Sequence, residues 1–101
     1  MILVDTSVWI RALAGRQPFL AELDRLVAAE QVVGHPLVYG ELLIGDRGGR
    51  AAFLGHYEKL HHATLVPHHQ VVSFVRNRRL HGRGPGWIDI HLLASAMVGR
   101  A

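Results

Sequence analysis

Two hydrophobic patterns alternate along the chain. One is a run of a few consecutive apolar residues. The other is a longer stretch in which apolar residues recur every three or four positions. The first pattern indicates strands buried on both faces, and the second indicates helices with one inner face. Residues 1–4 are apolar and end on Asp5, which suits a parallel strand that presents this acid at its carboxyl end. Thr6 or Ser7 then caps a helix containing Val8, Trp9, Ile10 and Leu13, and Gly15 ends it. Pro18 falls where the first residue of the next helix belongs. Leu20, Leu23 and Val27, with Phe19 and Leu26 beside them, form its inner stripe, while Glu22, Asp24, Arg25 and Glu30 face water. Val32 and Val33 give a second short strand. Pro36 opens a third helix that holds Leu37, Val38, Leu42, Leu43 and Ile44, with Gly45 as its C-cap.

A polar, glycine-rich connection over 46–50 leads to a helix predicted over 51–62, with Phe53, Leu54, Tyr57 and Leu60 inward. Thr64, Leu65 and Val66 give a third strand. A helix follows over 68–80 with Val71, Val72, Phe74 and Val75 inward, then a sharp glycine and proline break over 82–86, then a last helix over 87–98. Short apolar strands alternating with helices predict an α/β fold with a parallel sheet, organised as a single domain over 1–101.

The composition agrees with a packed globule: half of the 101 residues are hydrophobic and 19% are charged. Cysteine is absent, which excludes disulfides and thiolate metal sites and fits a cytoplasmic location. The apolar start lacks a basic leader region and contains Asp5, so it does not read as a signal peptide. No stretch approaches the ~18 uncharged apolar residues of a membrane span. Charge is unevenly spread. Residues 71–101 carry Arg76, Arg78, Arg79, Arg83 and Arg100 against one acid, Asp89, whereas the first 70 residues hold six bases and seven acids. A one-sided basic segment points to an anionic partner such as nucleic acid, or more plainly to a solvated helix face.

Three of the eight acids have unusual neighbours. Asp5 follows four apolar residues, Glu41 precedes Leu42-Leu43-Ile44, and Asp89 stands between Ile88 and Ile90. A carboxylate in apolar surroundings is costly unless it is paired or holds a cation. Ligands gather outside the carboxyl ends of parallel strands, where Asp5 lies, and a helix N-terminus favours the charge of Asp89. Three converging carboxylates make an all-oxygen site for Mg²⁺ or Mn²⁺, ions that activate water and steady a phosphodiester under attack. Each acid also has a plainer reading: Asp5 as a helix cap, Asp89 as a first-turn dipole acid, Glu41 as the partner of a buried arginine or histidine.

Other features carry less. His61-His62 and His68-His69 are adjacent pairs without the His-x-x-x-His spacing that sets two imidazoles on one helix face, so they do not indicate zinc. The glycine-rich break before Trp87 lacks a Walker lysine and the dinucleotide spacing, and reads as a turn that fixes the last helix. Trp9 and Trp87 are candidates for base stacking but read more simply as core or interface. Arg76, Arg79 and Arg83 share a face if the fifth helix runs that far, and are candidates to grip RNA phosphates.

Taken in order, MILVDTSVWI, GHPLVYGELLIG and GRGPGWIDIHLLASAM resemble the three leading motifs of PIN-domain toxins of the VapC type, each with its acid in place. The resemblance covers nearly the whole chain. It implies a PIN-like three-layer fold with a short central parallel sheet between helices. It also implies a ribonuclease that cuts single-stranded or loop RNA with Mg²⁺ or Mn²⁺, working as a homodimer held inactive by a VapB-type antitoxin. Catalytic and metal-ligand roles fall on Asp5, Glu41 and Asp89, and Thr6 or Ser7 supports the first acid. The family continues into a further strand, a fourth acidic motif and a closing helix, whereas this chain stops at Ala101. The expectation is therefore a PIN domain shortened at its C-terminus. Its alternative to an active toxin is an impaired module that binds antitoxin or RNA without cutting.

Overall fold

Val32 and Val33 sit at the centre of the molecule, each 3% exposed, as expected of a strand covered on both faces. They form β2 (Val32–Val33), which pairs in parallel with β1 (Ile2–Leu3), Ile2 opposite Val32 and Leu3 opposite Val33. The computed structural model describes residues 1–82 and 84–99. Among these, six helices surround the two strands: α1 (Thr6–Leu13), α2 (Phe19–Ala28), α3 (Pro36–Ile44), α4 (Ala51–Glu58), α5 (His68–Asn77) and α6 (Trp87–Gly99). The mixed α/β architecture is the one the hydrophobic pattern predicts.

The third strand is the main departure. Residues 64–66 form no strand, and the chain instead touches β2's end through one parallel bridge between Gly34 and His62. The Gly34 N–H donates to His61 O and the Gly34 carbonyl accepts from Ala63 N–H, both at 2.8 Å. Gly34 allows this close approach: a Cβ would stand 2.9 Å from the His62 ring and 3.3 Å from that of Tyr57, so any side chain there requires the His62 ring to shift. The polar His61-His62 pair carries the contact that the apolar Leu65 was expected to carry, and Leu65 is left 59% exposed.

Helix ends differ by one to four residues from the pattern. Asp5, not Thr6 or Ser7, holds the N-cap position of α1, and Pro18 caps α2 from outside it. The helices α4 and α5 end at Glu58 and Asn77, before the predicted 62 and 80. The ends of α1, α2 and α5 share one device, a left-handed residue followed by an N–H that reaches back five positions. Gly15 is the obvious case (φ 76°), with Arg16 N–H on Arg11 O. Glu30 (φ 56°) and Arg79 (φ 53°) do the same, with Gln31 N–H on Leu26 O and Leu80 N–H on Val75 O.

Consecutive helices pack in pairs, α1 on α2, α3 on α4 and α5 on α6, and α1 also meets α3. The main core gathers Trp9, Leu23, Val32, Val38, Leu42 and Tyr57. A smaller core of Val71, Ile90 and Ala94 joins α5 to α6. The two are linked by a buried polar contact, His35 Nε2 to Ser95 Oγ at 3.1 Å. The other ring nitrogen, Nδ1, accepts the Leu37 N–H and caps α3, so Nε2 carries the proton and donates it to Ser95.

Candidate functional site

Asp5 turns the chain from β1 into α1. Its carbonyl accepts the N–H groups of Val8 (3.1 Å) and Trp9 (3.3 Å), while its carboxylate does no capping. Asp5 Oδ2 instead accepts the Ser7 hydroxyl at 2.7 Å. Ser7 in turn accepts Arg11 Nη1 at 3.5 Å, and the Arg11 guanidinium lies 5.4 Å over the Phe19 ring. Asp89, in the first turn of α6, accepts the Gly86 N–H on Oδ2 at 3.3 Å.

Asp5 and Asp89 come from near opposite ends of the chain and line one open cavity of about 380 Å³, with Leu3, Leu92, Leu93 and Ala96. Each carboxylate stands at the N-terminal end of a helix. The positive ends of α1 and α6 therefore partly offset the repulsion between the two acids, which the apolar walls do nothing to reduce.

Glu41 lies beside this cavity and does not line it. It projects from α3, and its Oε1 accepts Thr6 Oγ1 at 2.7 Å, so it is tied to the residue that follows Asp5. Thr6 is buried and Glu41 exposed. The expectation that all three acids sit in apolar surroundings needs correcting. Their sequence neighbours are apolar, but all three side chains are exposed: Val4, Leu42 and Ile90 beside them are buried, while the acids, like Leu43 and Ile44, face outward.

The donor chemistry suits a hard divalent cation. All donors are carboxylate oxygens, and among the described residues each acid uses one oxygen in a side-chain or backbone hydrogen bond and has no such bond to its other oxygen. Mg²⁺ commonly takes one or two carboxylates and retains several waters, which fits the Asp5–Asp89 pair. Among the described residues, no three His, Cys, Asp or Glu side chains are spaced to hold one ion together.

A second cavity, about 350 Å³, runs between α1, α2 and α4 and is walled by Trp9, Leu13, Leu20, Val27, Phe53 and Leu60. It contains none of the three acids. Trp9 is buried at its edge with Nε1–H unpartnered among the described residues. Its lining is apolar apart from Asp24 and His56, whereas the other cavity brings two carboxylates together.

The arginines are partly redistributed relative to expectation. Arg76 is in the last turn of α5, Arg79 follows the helix in left-handed backbone, and both are exposed. They do not share a helix face. Arg83 lies outside the described residues. Sequence reasoning missed the His35–Ser95 link. Its only traces were a histidine between Gly34 and Pro36 and a serine within the apolar stretch of α6. Burial, then the neighbouring His91 and His62, push the His35 imidazole below its ordinary range, so it is neutral near pH 7. Burial pushes the Tyr57 hydroxyl up to about 12. That hydroxyl accepts the His35 N–H at 2.9 Å.

The PIN domain family model matches residues 2–101. Among curated proteins, Ribonuclease VapC32 of Mycobacterium tuberculosis is 42% identical over 102 residues in strain CDC 1551 / Oshkosh and equally so in strain ATCC 25618 / H37Rv. The match covers 100% of this chain and 80% of each relative. No solved structure gives a significant match.

Proposed function

Because the chain belongs to the PIN-domain family and is of its VapC type, we propose that it is a metal-dependent endoribonuclease, the toxin half of a VapBC-type toxin–antitoxin pair. The observation that carries this reading is the shared cavity of Asp5 and Asp89. Asp5 and Asp89 are assigned as ligands of Mg²⁺ or Mn²⁺, with Glu41 completing the acidic set from the flank through Thr6. The bound cation would supply Lewis-acid stabilisation of the phosphodiester and a water of lowered pKa. The chain's own contribution is orientation. Ser7 holds Asp5 and the Gly86 N–H holds Asp89, and the other carboxylate oxygen of each would hold the cation or one of its waters.

The partners follow from the same reading: single-stranded or loop RNA as substrate, a VapB-type antitoxin as inhibitor, and a second copy of the chain, with the cytoplasm as site of action. Arg76, Arg79 and Arg83 are assigned to RNA phosphates. Dimerisation is supported by large apolar side chains left in water, among them Ile44 (89% exposed) on α3 and Val98 (61%) on α6.

One observation favours the impaired-module alternative, in which the domain binds RNA or antitoxin without cutting. Glu41, the third acid, is tied to Thr6 on the flank and does not line the Asp5–Asp89 cavity. Incubation of purified protein with cellular RNA separates the two readings. Cleavage with Mg²⁺ or Mn²⁺ that stops on adding EDTA supports the nuclease. Binding without cleavage at any metal concentration supports the module.

A further inference from the structure

Trp87 is the first residue of α6 and its indole is 44% exposed, although a large aromatic side chain gains most by burial. It is held in place all the same. The His68 ring lies 5.2 Å away at 55°, and the His91 ring meets it edge-on at 4.8 Å. Between α5 and this end of α6 lies a pocket of about 280 Å³, lined by Val72, Val75, Arg76, His81 and Trp87. The pocket is slightly smaller than the ~300–1,000 Å³ that admits whole small-molecule ligands. Among the described residues it offers an aromatic wall, an aliphatic wall, one permanent cation and no carboxylate. Arg78 and Arg79 follow on the same segment, and Asp89 is its only acid.

We propose that this pocket is a base-binding subsite: it takes one unpaired nucleobase of single-stranded RNA against the indole of Trp87, with Arg76 at the adjoining phosphate. The proposal rests on the ribonuclease reading and adds to it a place where substrate is gripped. Stacking on an aromatic face is the usual way to hold an unpaired base, and a guanidinium beside it matches the sugar–phosphate chain. The geometry joins the subsite to the acids. Trp87 and Asp89 occupy the same first turn of α6 and face opposite ways, Trp87 to α5 and Asp89 to the Asp5 cavity. An RNA strand that crosses this turn meets both. The arginine and the absence of carboxylate favour a polyanion over an apolar protein segment as occupant.

The test uses the full chain and EDTA, so that binding is read without cutting. The probes are a short single-stranded RNA and an abasic ribose-phosphate oligomer of the same length. In a Trp9→Phe background Trp87 is the sole indole. In the wild-type chain iodide gives the same information, because it reaches exposed Trp87 and not buried Trp9. RNA is expected to quench Trp87 and shield it from iodide, and the abasic oligomer to do neither. Trp87→Ala should weaken RNA binding about 5- to 150-fold, with most of the affinity restored in Trp87→Phe. Equal quenching by the abasic oligomer, or unchanged affinity in Trp87→Ala, would overturn the subsite. So would Trp87 emission that shifts on diluting the protein without RNA, since the indole would then be seated against a second copy. Cleavage separates this proposal from the one it rests on. Wild type that stacks a base but never cuts with Mg²⁺ or Mn²⁺ counts against the nuclease only. Wild type that cuts, with Trp87→Ala cutting and binding equally well, counts against the subsite only.

Discussion

Thr6 Oγ1 donates to Glu41 Oε1 across 2.7 Å, tying the first turn of α1 to the middle of α3. The donor is buried and the acceptor exposed. Thr6→Val removes the hydroxyl and leaves Glu41 free to meet water, so the expected loss is that of one charge-assisted bond, about 1–2 kcal/mol. Thr6→Ser should restore most of it. Chemical denaturation of the three proteins checks this. Equal stability of the Val and wild-type chains would remove Thr6 as an anchor.

Asp89→Asn keeps the acceptor for the Gly86 N–H but removes a charge that faces Asp5. In the apo protein, relief of repulsion should leave stability equal or higher, while the rise in melting temperature on adding Mn²⁺ and any RNA cleavage should collapse. If Asp89 serves only the dipole of α6, the same change costs about 0.3–1 kcal/mol and leaves the Mn²⁺ response intact. Thermal melts with and without Mn²⁺ decide between the two.

His35 gives stability a pH dependence. Its folded pKa is depressed, chiefly by burial, so the unfolded chain binds more protons once the pH drops below about 6.5. Its contribution is full above that value and is lost as the pH falls through the folded pKa. His91, lowered by burial and by His68, acts in the same direction. His35→Asn can still cap α3 but neither titrates nor spans to Ser95. It should be less stable than wild type at pH 7 and show a shallower decline between about pH 7 and pH 5. Parallel declines in the two proteins would show that His35 is not the source.

Arg76 and Arg79 should each contribute to a salt-dependent grip on RNA. Replacing either by Ala is expected to flatten the slope of log affinity against log salt by about 0.7 for a single-stranded ligand. An unchanged slope in both variants would mark them as ordinary solvated side chains.

Glu30 and Arg79 show why parts of the fold were hard to see in the sequence. Both occupy left-handed positions where glycine is usual, and so hide helix ends that Gly15 announces. Glu30→Gly should relieve this strain and stabilise the protein by about 1 kcal/mol. A destabilised variant would mean that the glutamate side chain compensates for its backbone.

Two of the strands and the helices were legible because they depend on local periodicity. Asp5 at the end of a strand and Asp89 in a first turn could be placed from the sequence. The partner of Glu41 could not, because it depends on how α1 crosses α3. The third strand failed for a related reason: Leu65 has the stronger propensity, yet Gly34 admits the His62 ring where a side chain would require it to shift. Exposure of the acids was equally hidden, since apolar neighbours on a helix say nothing about the direction of the residue between them.

The pairing of consecutive helices has a consequence for the order of assembly. Contacts within α1–α2, α3–α4 and α5–α6 join elements adjacent in the chain, whereas Ile2 must find Val32 beyond two intervening helices and Asp5 must find Asp89 across most of the sequence. Short loops close at lower entropic cost, so the helical hairpins should gain protection before the strands do. Pulse-labelled hydrogen exchange would show this as early protection in the helices and late protection at the Ile2 and Gly34 amides, and simultaneous protection would refute it. The acidic pair then comes into being in the closing step of folding. A chain still emerging from the ribosome can carry Asp5 on its first helix and yet lack the cavity that Asp5 comes to share with Asp89.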